Sequence, residues 1–362
     1  MTTIARSVSL GVSRLVLATV VLLMLAVLDG SPVAAQLPSG WEAASPERMA
    51  YWRRCMSPDA DTAIGGCSAV IEAAERADFL VIAYNNRAVA LANKGELDRA
   101  LQDYDQAIRI KPAYADAWTN RGVVWGRKGQ AERAIQDHTQ AIRLRPGYAV
   151  AYGNRGLAYS DTGRYDEAIR DLDEAIRLDP KLVDAFNDRG NAWVGKGNFD
   201  RAIEDYTAAL RLDGFFAAAY DNRAYAYYRK AQYGRAIEDH DRAIQYQPTH
   251  AGYWNGRCFT KAVLGELEDA LKDCEESLRL RPANANTLDS RGLVHLKAGR
   301  LDAAIADYSA ALEIRPRYAQ ALYGRGVARL RKGDMPGGAG DIAAARAIKA
   351  DIAEEFVRYG VR

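Results

Sequence analysis

Residues 149–182 read AVAYGNRGLAYSDTGRYDEAIRDLDEAIRLDPKL, and the same pattern returns every 34 residues through most of the chain. Proline marks the beat at Pro112, Pro146 and Pro180, then at Pro248, Pro282 and Pro316, with Gly214 and Ala350 in the two slots that lack it. A fixed period of this length is the signature of stacked helix pairs. Counting back from the prolines divides 81–352 into eight repeats: 81–114, 115–148, 149–182, 183–216, 217–250, 251–284, 285–318 and 319–352.

With the residues of one repeat numbered 1 to 34, apolar side chains at 4, 8 and 11, then at 20, 24, 27 and 28, follow helical spacing. Glycine at position 15 falls where helix A must end, and proline at 32 closes helix B. The Ala-Ile-x-x-Asp stretches join alanine, a strong helix former, to a single β-branched core residue, and no strand pattern competes. A single pair buries too little surface to hold itself, so stability has to come from stacking on neighbours.

Position 4 carries Tyr84, Trp118, Tyr152, Phe186, Tyr220, Trp254, Leu288 and Leu322, and position 8 carries Ala88, Gly122, Gly156, Gly190, Ala224, Cys258, Gly292 and Gly326. Alanine recurs at 20 and 27. This pattern resembles the tetratricopeptide repeat, in which small residues let two helices approach and the aromatic at 4 fills the space beside them. The resemblance implies an all-α fold, a right-handed α-solenoid of helix-turn-helix repeats, that binds rather than catalyses.

One departure from that family runs through all eight repeats. Position 7, usually leucine, is arginine (Arg87, Arg121, Arg155, Arg189, Arg223, Arg257, Arg291, Arg325), and position 23 is always aspartate (Asp103, Asp137, Asp171, Asp205, Asp239, Asp273, Asp307, Asp341). Opposite charges repeated together on facing helices predict a ladder of ion pairs; a basic stripe for an acidic partner is the functional alternative.

The ends differ from the middle. Arg6 and Arg14, the apolar run Leu15–Leu28 and Val33-Ala34-Ala35 have the layout of a signal peptide over 1–35, and the run is short for a bilayer span. A soluble protein, exported to the periplasm or secreted and without stable membrane insertion after cleavage, is the expectation, with a retained anchor as the alternative. Residues 36–80 read as an N-terminal helical cap: Ser45-Pro46 opens one helix, Ser57-Pro58-Asp59 ends it, and Gly65-Gly66 precedes a second helix through Arg76. Residues 353–362 read as a C-terminal cap that continues the last helix, charges outward and Phe356 and Tyr359 inward. An oxidising compartment favours a disulfide between Cys55 and Cys67 at the cap's joint. Cys258 and Cys274 occupy positions 8 and 24 of one repeat, where either a second disulfide or two buried thiols would fit.

Apolar residues make up 49% of the chain and charged residues 27%, with a formal net charge of +2. That balance gives no electrostatic footprint for nucleic acid. The four histidines, His138, His240, His250 and His295, lie in no metal or nucleophile motif, and Gly337-Gly338-Ala339-Gly340 lacks the Lys-Ser/Thr of a phosphate loop. No enzyme, metal or cofactor is expected.

The resemblance also places a ligand. In the family the inner face is lined by helix A positions 2, 5, 9, 12 and 13, often with 6, which here assigns a partner-binding groove to Asn86, Asn120, Asn154, Asn187, Asn191, Asn222, Tyr225, Tyr228, Arg229, Asn255 and Phe259. Aromatics, amides and an arginine make a recognition surface for a protein or extended peptide. Family members that grip chaperone C-terminal carboxylates need lysine at position 2, where this chain has Ile82, Asp116, Val150, Asp184, Ala218, Gly252, Asn286 and Gln320, so that ligand is not expected. The expected function is a scaffold in cell-envelope assembly; the alternative is a carbohydrate- or envelope-polymer-binding protein using the groove aromatics.

Overall fold

A computed structural model describes residues 45–73 and 76–361; the expected signal peptide and its cleavage site lie outside the described residues. All regular structure among the described residues is helical. The chain groups into two compact units, Met1–Asn198 and Phe199–Arg362. The first holds α1 (Pro46–Cys55), α2 (Ala60–Ala73), α3 (Ala77–Asn93), α4 (Leu97–Ile110), α5 (Ala115–Arg127), α6 (Ala131–Leu144), α7 (Ala149–Asp161), α8 (Tyr165–Leu178) and α9 (Val183–Gly195). The second holds α10 (Phe199–Leu212), α11 (Ala217–Arg229), α12 (Tyr233–Tyr246), α13 (Ala251–Leu264), α14 (Leu267–Leu280), α15 (Ala285–Lys297), α16 (Leu301–Ile314), α17 (Ala319–Arg331), α18 (Met335–Ile348) and α19 (Ile352–Arg358). Within each unit successive helices pack as neighbouring pairs, the arrangement of an α-solenoid.

The period works through four local devices. Position 15 adopts positive φ, which glycine tolerates, at Gly95, Gly129, Gly163, Gly197, Gly265, Gly299 and Gly333; Ala231 takes the same conformation at φ 56° without glycine's freedom. Just past that turn, the Arg164 amide donates back to the Tyr159 carbonyl at 2.9 Å, satisfying an acceptor at the end of α7. The alanines at 20 and 27 are fully buried, as at Ala168 and Ala175. Position 8 must be small because position 24 fills the same space: a Cβ on Gly156 would lie 2.7 Å from Leu172 Cγ, and one on Gly122 would lie 2.6 Å from the His138 ring.

In the repeat 251–284 those two facing positions are Cys258 and Cys274, joined as a disulfide with Cα atoms 5.4 Å apart. His138 is a packing residue at position 24, 1% exposed. Burial holds its imidazole neutral by lowering its pKa to about 3.

The arginines and aspartates pair. Arg155 Nε and Nη2 donate to the two carboxylate oxygens of Asp171 at 2.6 and 2.8 Å. The remaining arm, Nη1, donates to Thr139 Oγ1 at 3.2 Å on the preceding repeat. The same fork recurs at Arg87, Arg121, Arg223, Arg257, Arg291 and Arg325. The third arm again reaches back one repeat from Arg121 to Asp105, Arg223 to Thr207, Arg257 to Asp241 and Arg325 to Ser309. At Arg121, Arg155, Arg223, Arg257 and Arg325 the guanidinium thus ties its own two helices together and staples them to the previous pair, a third connection that charge pairing alone did not predict. Where position 4 is aromatic, the guanidinium also lies over that ring, at 5.5 Å for Arg155 on Tyr152 and 4.8 Å for Arg121 on Trp118.

Three expectations at the ends need correction. Gly65-Gly66 does not precede the second cap helix but lies inside α2, which starts at Ala60 behind Asp59, whose Oδ1 accepts from the Thr62 amide at 2.8 Å. A Cβ on Gly66 would lie 2.3 Å from the Cys55 amide nitrogen, so this glycine serves close approach of α2 to α1 and not a helix break. The helix that opens repeat 81–114 begins at Ala77, four residues ahead of its period, because no proline turn precedes it. Finally, the C-terminal segment does not continue α18: the helix stops at Ile348, α19 starts afresh at Ile352, and one of its charges, Glu355, is buried with Phe356 and Tyr359. Ser45 and Pro46 do open α1, with Ser45 Oγ accepting from the Arg48 amide, and Cys55 and Cys67 are bonded with Cα atoms 4.4 Å apart.

Candidate functional site

The assigned groove residues fall into two sets, one in each compact unit. In the first unit they are amides, and the amides are largely taken up with one another. Asn120 Nδ2 donates to Asn85 Oδ1 at 3.1 Å across adjacent A helices, and Asn85 Nδ2 donates to Asn86 Oδ1 at 3.3 Å. Asn154 and Asn187 are buried, and Asn187 Nδ2 donates to Asp188 Oδ1 at 3.3 Å. Burial, reinforced by nearby Asp184, raises the Asp188 carboxyl well above the usual range. Asn191 is half-buried. Asn120 and Asn85 thus fasten one A helix to the next, while Asn86 and Asn187 engage neighbours on their own helices.

The second unit presents a different surface. Arg229 is exposed, donates from Nη1 to the Tyr225 hydroxyl at 2.8 Å and lies over the Phe199 ring at 4.6 Å. Tyr225 is half-buried on the same face of α11. Tyr228, one turn along, packs its ring against Phe259 at 5.4 Å and Tyr233 at 5.7 Å. Burial raises its phenol pKa, with Tyr233 and Glu355 adding to the effect. Asn222 is buried, and the buried Asn255 Oδ1 has no hydrogen-bond partner.

Phe259 is not open to a ligand: Tyr359, from the C-terminal segment, packs edge-on against it with ring centroids 5.2 Å apart. Nearby, Phe356 packs at a tilt against Tyr323, ring centroids 4.7 Å apart, and Gln320 Nε2 donates to Glu355 Oε1 at 3.1 Å. Asp289 lies deeper, its Oδ2 accepting from the Tyr318 hydroxyl at 3.2 Å and its Oδ1 without a partner. Burial is the main force that raises the Asp289 carboxyl to about 7. The groove assignment ends at Phe259 in repeat 251–284 and does not include Asp289, Lys297, Gln320 and Tyr323. Continuing the same positions 2, 5 and 13 into the last two repeats was the signal that finds them.

Among the described residues no group of three His, Cys, Asp or Glu side chains could hold a metal ion, and no helix is long and apolar enough to cross a membrane. His295 Nδ1 accepts from Arg300 Nε at 3.1 Å, an internal contact.

Comparison with known proteins agrees with this architecture. Family profiles of the tetratricopeptide repeat match residues 88–129, 149–182, 187–251 and 292–333, together about half of the chain. Among curated proteins none matches. Among solved structures, pilF of Pseudomonas aeruginosa is similar at 22% identity over 58% of this chain and 96% of its own, with a TM-score of 0.51. A tetratricopeptide repeat protein from Parabacteroides merdae is similar at 18% identity over 74% and 98%, TM-score 0.54. The Cut9–Hcn1 hetero-tetramer of the APC/C is similar at 16% identity over 91% of this chain and 66% of that one, TM-score 0.61. At these identities the likeness is one of fold.

Proposed function

Because the chain belongs to the tetratricopeptide repeat family, we propose that it is a non-enzymatic interaction scaffold that binds a protein or extended peptide on the inner faces of its A helices. The observation that carries this reading is the division of labour along helix A. Positions 4, 7 and 8 are spent on packing and on the arginine ladder, while Tyr225 and Arg229, at positions 9 and 13, hold a hydroxyl–guanidinium pair together at the surface. A planar cation beside an amphipathic ring suits a backbone carbonyl or a carboxylate of a peptide.

Changing Tyr225 and Arg229 together to alanine is expected to leave helicity and thermal stability intact, since neither joins the ladder or the alanine core. Binding to the native partner, captured by photocrosslinking from helix A of the second unit, should weaken by about 2 kcal/mol or more. Undiminished binding, or competition by soluble glycans and not by peptides, would overturn the peptide reading.

The setting we propose is the cell envelope of a bacterium, reached by export. Support comes from the signal-peptide layout of 1–35 and from the bonding of all four cysteines in two pairs, which an oxidising compartment sustains. The protein recovered from the exported fraction should start at Gln36 by N-terminal sequencing; an intact Met1 in carbonate-resistant membranes would show a retained anchor instead.

A further inference from the structure

In register, Ala353 would open a ninth repeat and Phe356 would take its position 4. Helix A of such a repeat would lie three steps from α13, and at roughly 8–10 Å between neighbouring axes that is about 25–30 Å away. Yet Tyr359 touches Phe259 on α13 at 5.2 Å. The segment has therefore left the stack and folded back across the A helices of the second unit.

Its contacts fall on the positions at which the family's ligands lie. Gln320 is at position 2, Tyr323 at 5, Phe259 at 9 and Lys297 at 13. Gln320 donates to Glu355, Tyr323 packs against Phe356, and Phe259 meets Tyr359. Lys297 Nζ lies 3.3 Å from where a Cβ on Gly360 would be. Within the segment Glu355 also accepts from the Tyr359 hydroxyl, and the Phe356 and Tyr359 rings lie 5.5 Å apart, so the peptide's own groups hold its carboxylate and two rings together; Lys349, just ahead of the segment, donates to the same carboxylate.

Although Ile352, Phe356, Tyr359 and Val361 join the core of the second unit, the segment covers the last helix of the stack only in part. Met335 and Ile348 on α18, the last helix of the stack, stay 62% and 39% exposed, and Val357 of the segment itself is 60% exposed. A cap exists to cover such residues. Seven helical residues joined through the non-helical Lys349–Asp351 also hold little helix of their own.

We infer that the groove of the second unit is a recognition site for a short acidic-aromatic helical peptide of the form Glu-Phe-x-x-Tyr, and that residues 352–361 are its resident internal copy. A partner carrying this chemistry gains access by displacing the segment. The inference rests on the scaffold reading above and names the ligand class for the surface of the second unit.

The probe is a fluorescently labelled peptide ADIAEEFVRYGVR, the sequence of 350–362, titrated against the full-length chain. The wild type should bind it weakly, and the variant Phe356→Ala with Tyr359→Ala at least tenfold more tightly. Adding Phe259→Ala should remove that gain. Equal affinity of the wild type and a helical tail variant would overturn the proposal, as would exchange of segments between copies into a dimer that accepts no free peptide. Hydrogen exchange on the unmutated protein decides the matter even if the tail variant unfolds. Excess peptide should accelerate exchange of the 353–361 amides while α15 and α17 stay protected, whereas amides that open only with global unfolding would make the segment a structural cap. A native partner crosslinked to the groove with the segment still protected would leave the scaffold reading standing and sink this one alone.

Discussion

Replacing Arg155 by alanine should destabilise the first unit by about 3–5 kcal/mol, since it strips a buried carboxylate of its only bidentate partner. The side chains of Arg155 and Asp171 are 16% and 11% exposed, so neither is free to recover full hydration. The substitution also removes the donor to Thr139 and the cation resting on Tyr152. Removing both charges, Arg155→Ala with Asp171→Asn, should recover part of the loss, because a neutral amide is far cheaper to leave unpaired than a carboxylate. Urea titrations of the two variants make the comparison. A midpoint unchanged by Arg155→Ala would mean that the guanidinium is solvated, and would revive the basic stripe as a surface for an acidic partner.

Asp289→Asn should change how stability depends on pH. The folded carboxyl has its pKa raised to about 7, against about 3.9 for an unfolded aspartate. Between those values the folded state holds a proton that the unfolded state has lost, so wild-type stability declines as pH rises from about 4 to about 7 and levels off above. Asparagine has no such proton. The variant's advantage over the wild type should be near zero at pH 4, grow by about 1.4 kcal/mol per pH unit, and reach about 4 kcal/mol by pH 8. The groups that set this behaviour are Tyr318, which donates to the carboxylate, Glu355, which opposes its ionisation, and Arg315, which favours it. A difference between variant and wild type that does not vary with pH would show that Asp289 is ionised and hydrated throughout.

Much of the fold was legible because a repeat states its rules eight times. The glycine at position 15, the small residue at 8 and the alanines at 20 and 27 each mark a contact made within one helix pair, and such contacts leave a trace at fixed spacing. The arginine ladder was legible in the same way up to its first two arms. Its third arm was not, since Asp105, Thr139, Thr207, Asp241 and Ser309 vary in type while keeping the ability to accept a hydrogen bond. Gly66 misled for the opposite reason: a glycine that permits close approach and a glycine that ends a helix look alike until the partner helix is in place.

The groove was only half legible. Position along helix A selects the residues expected to face inward, but it does not tell which of them spend their polar groups on a neighbouring repeat, as Asn85 and Asn120 do. What the sequence determined by itself was everything that recurs at 34 residues: the helix pairs, their turns, their packing positions and the charge pairs between them. What only the tertiary structure decided was where the unrepeated C-terminal segment goes. Periodicity reports contacts between residues at a constant separation, whereas Tyr359 on Phe259 joins two positions 100 residues apart, and its choice between stacking onward and folding back is made by the side chains already lining the second unit.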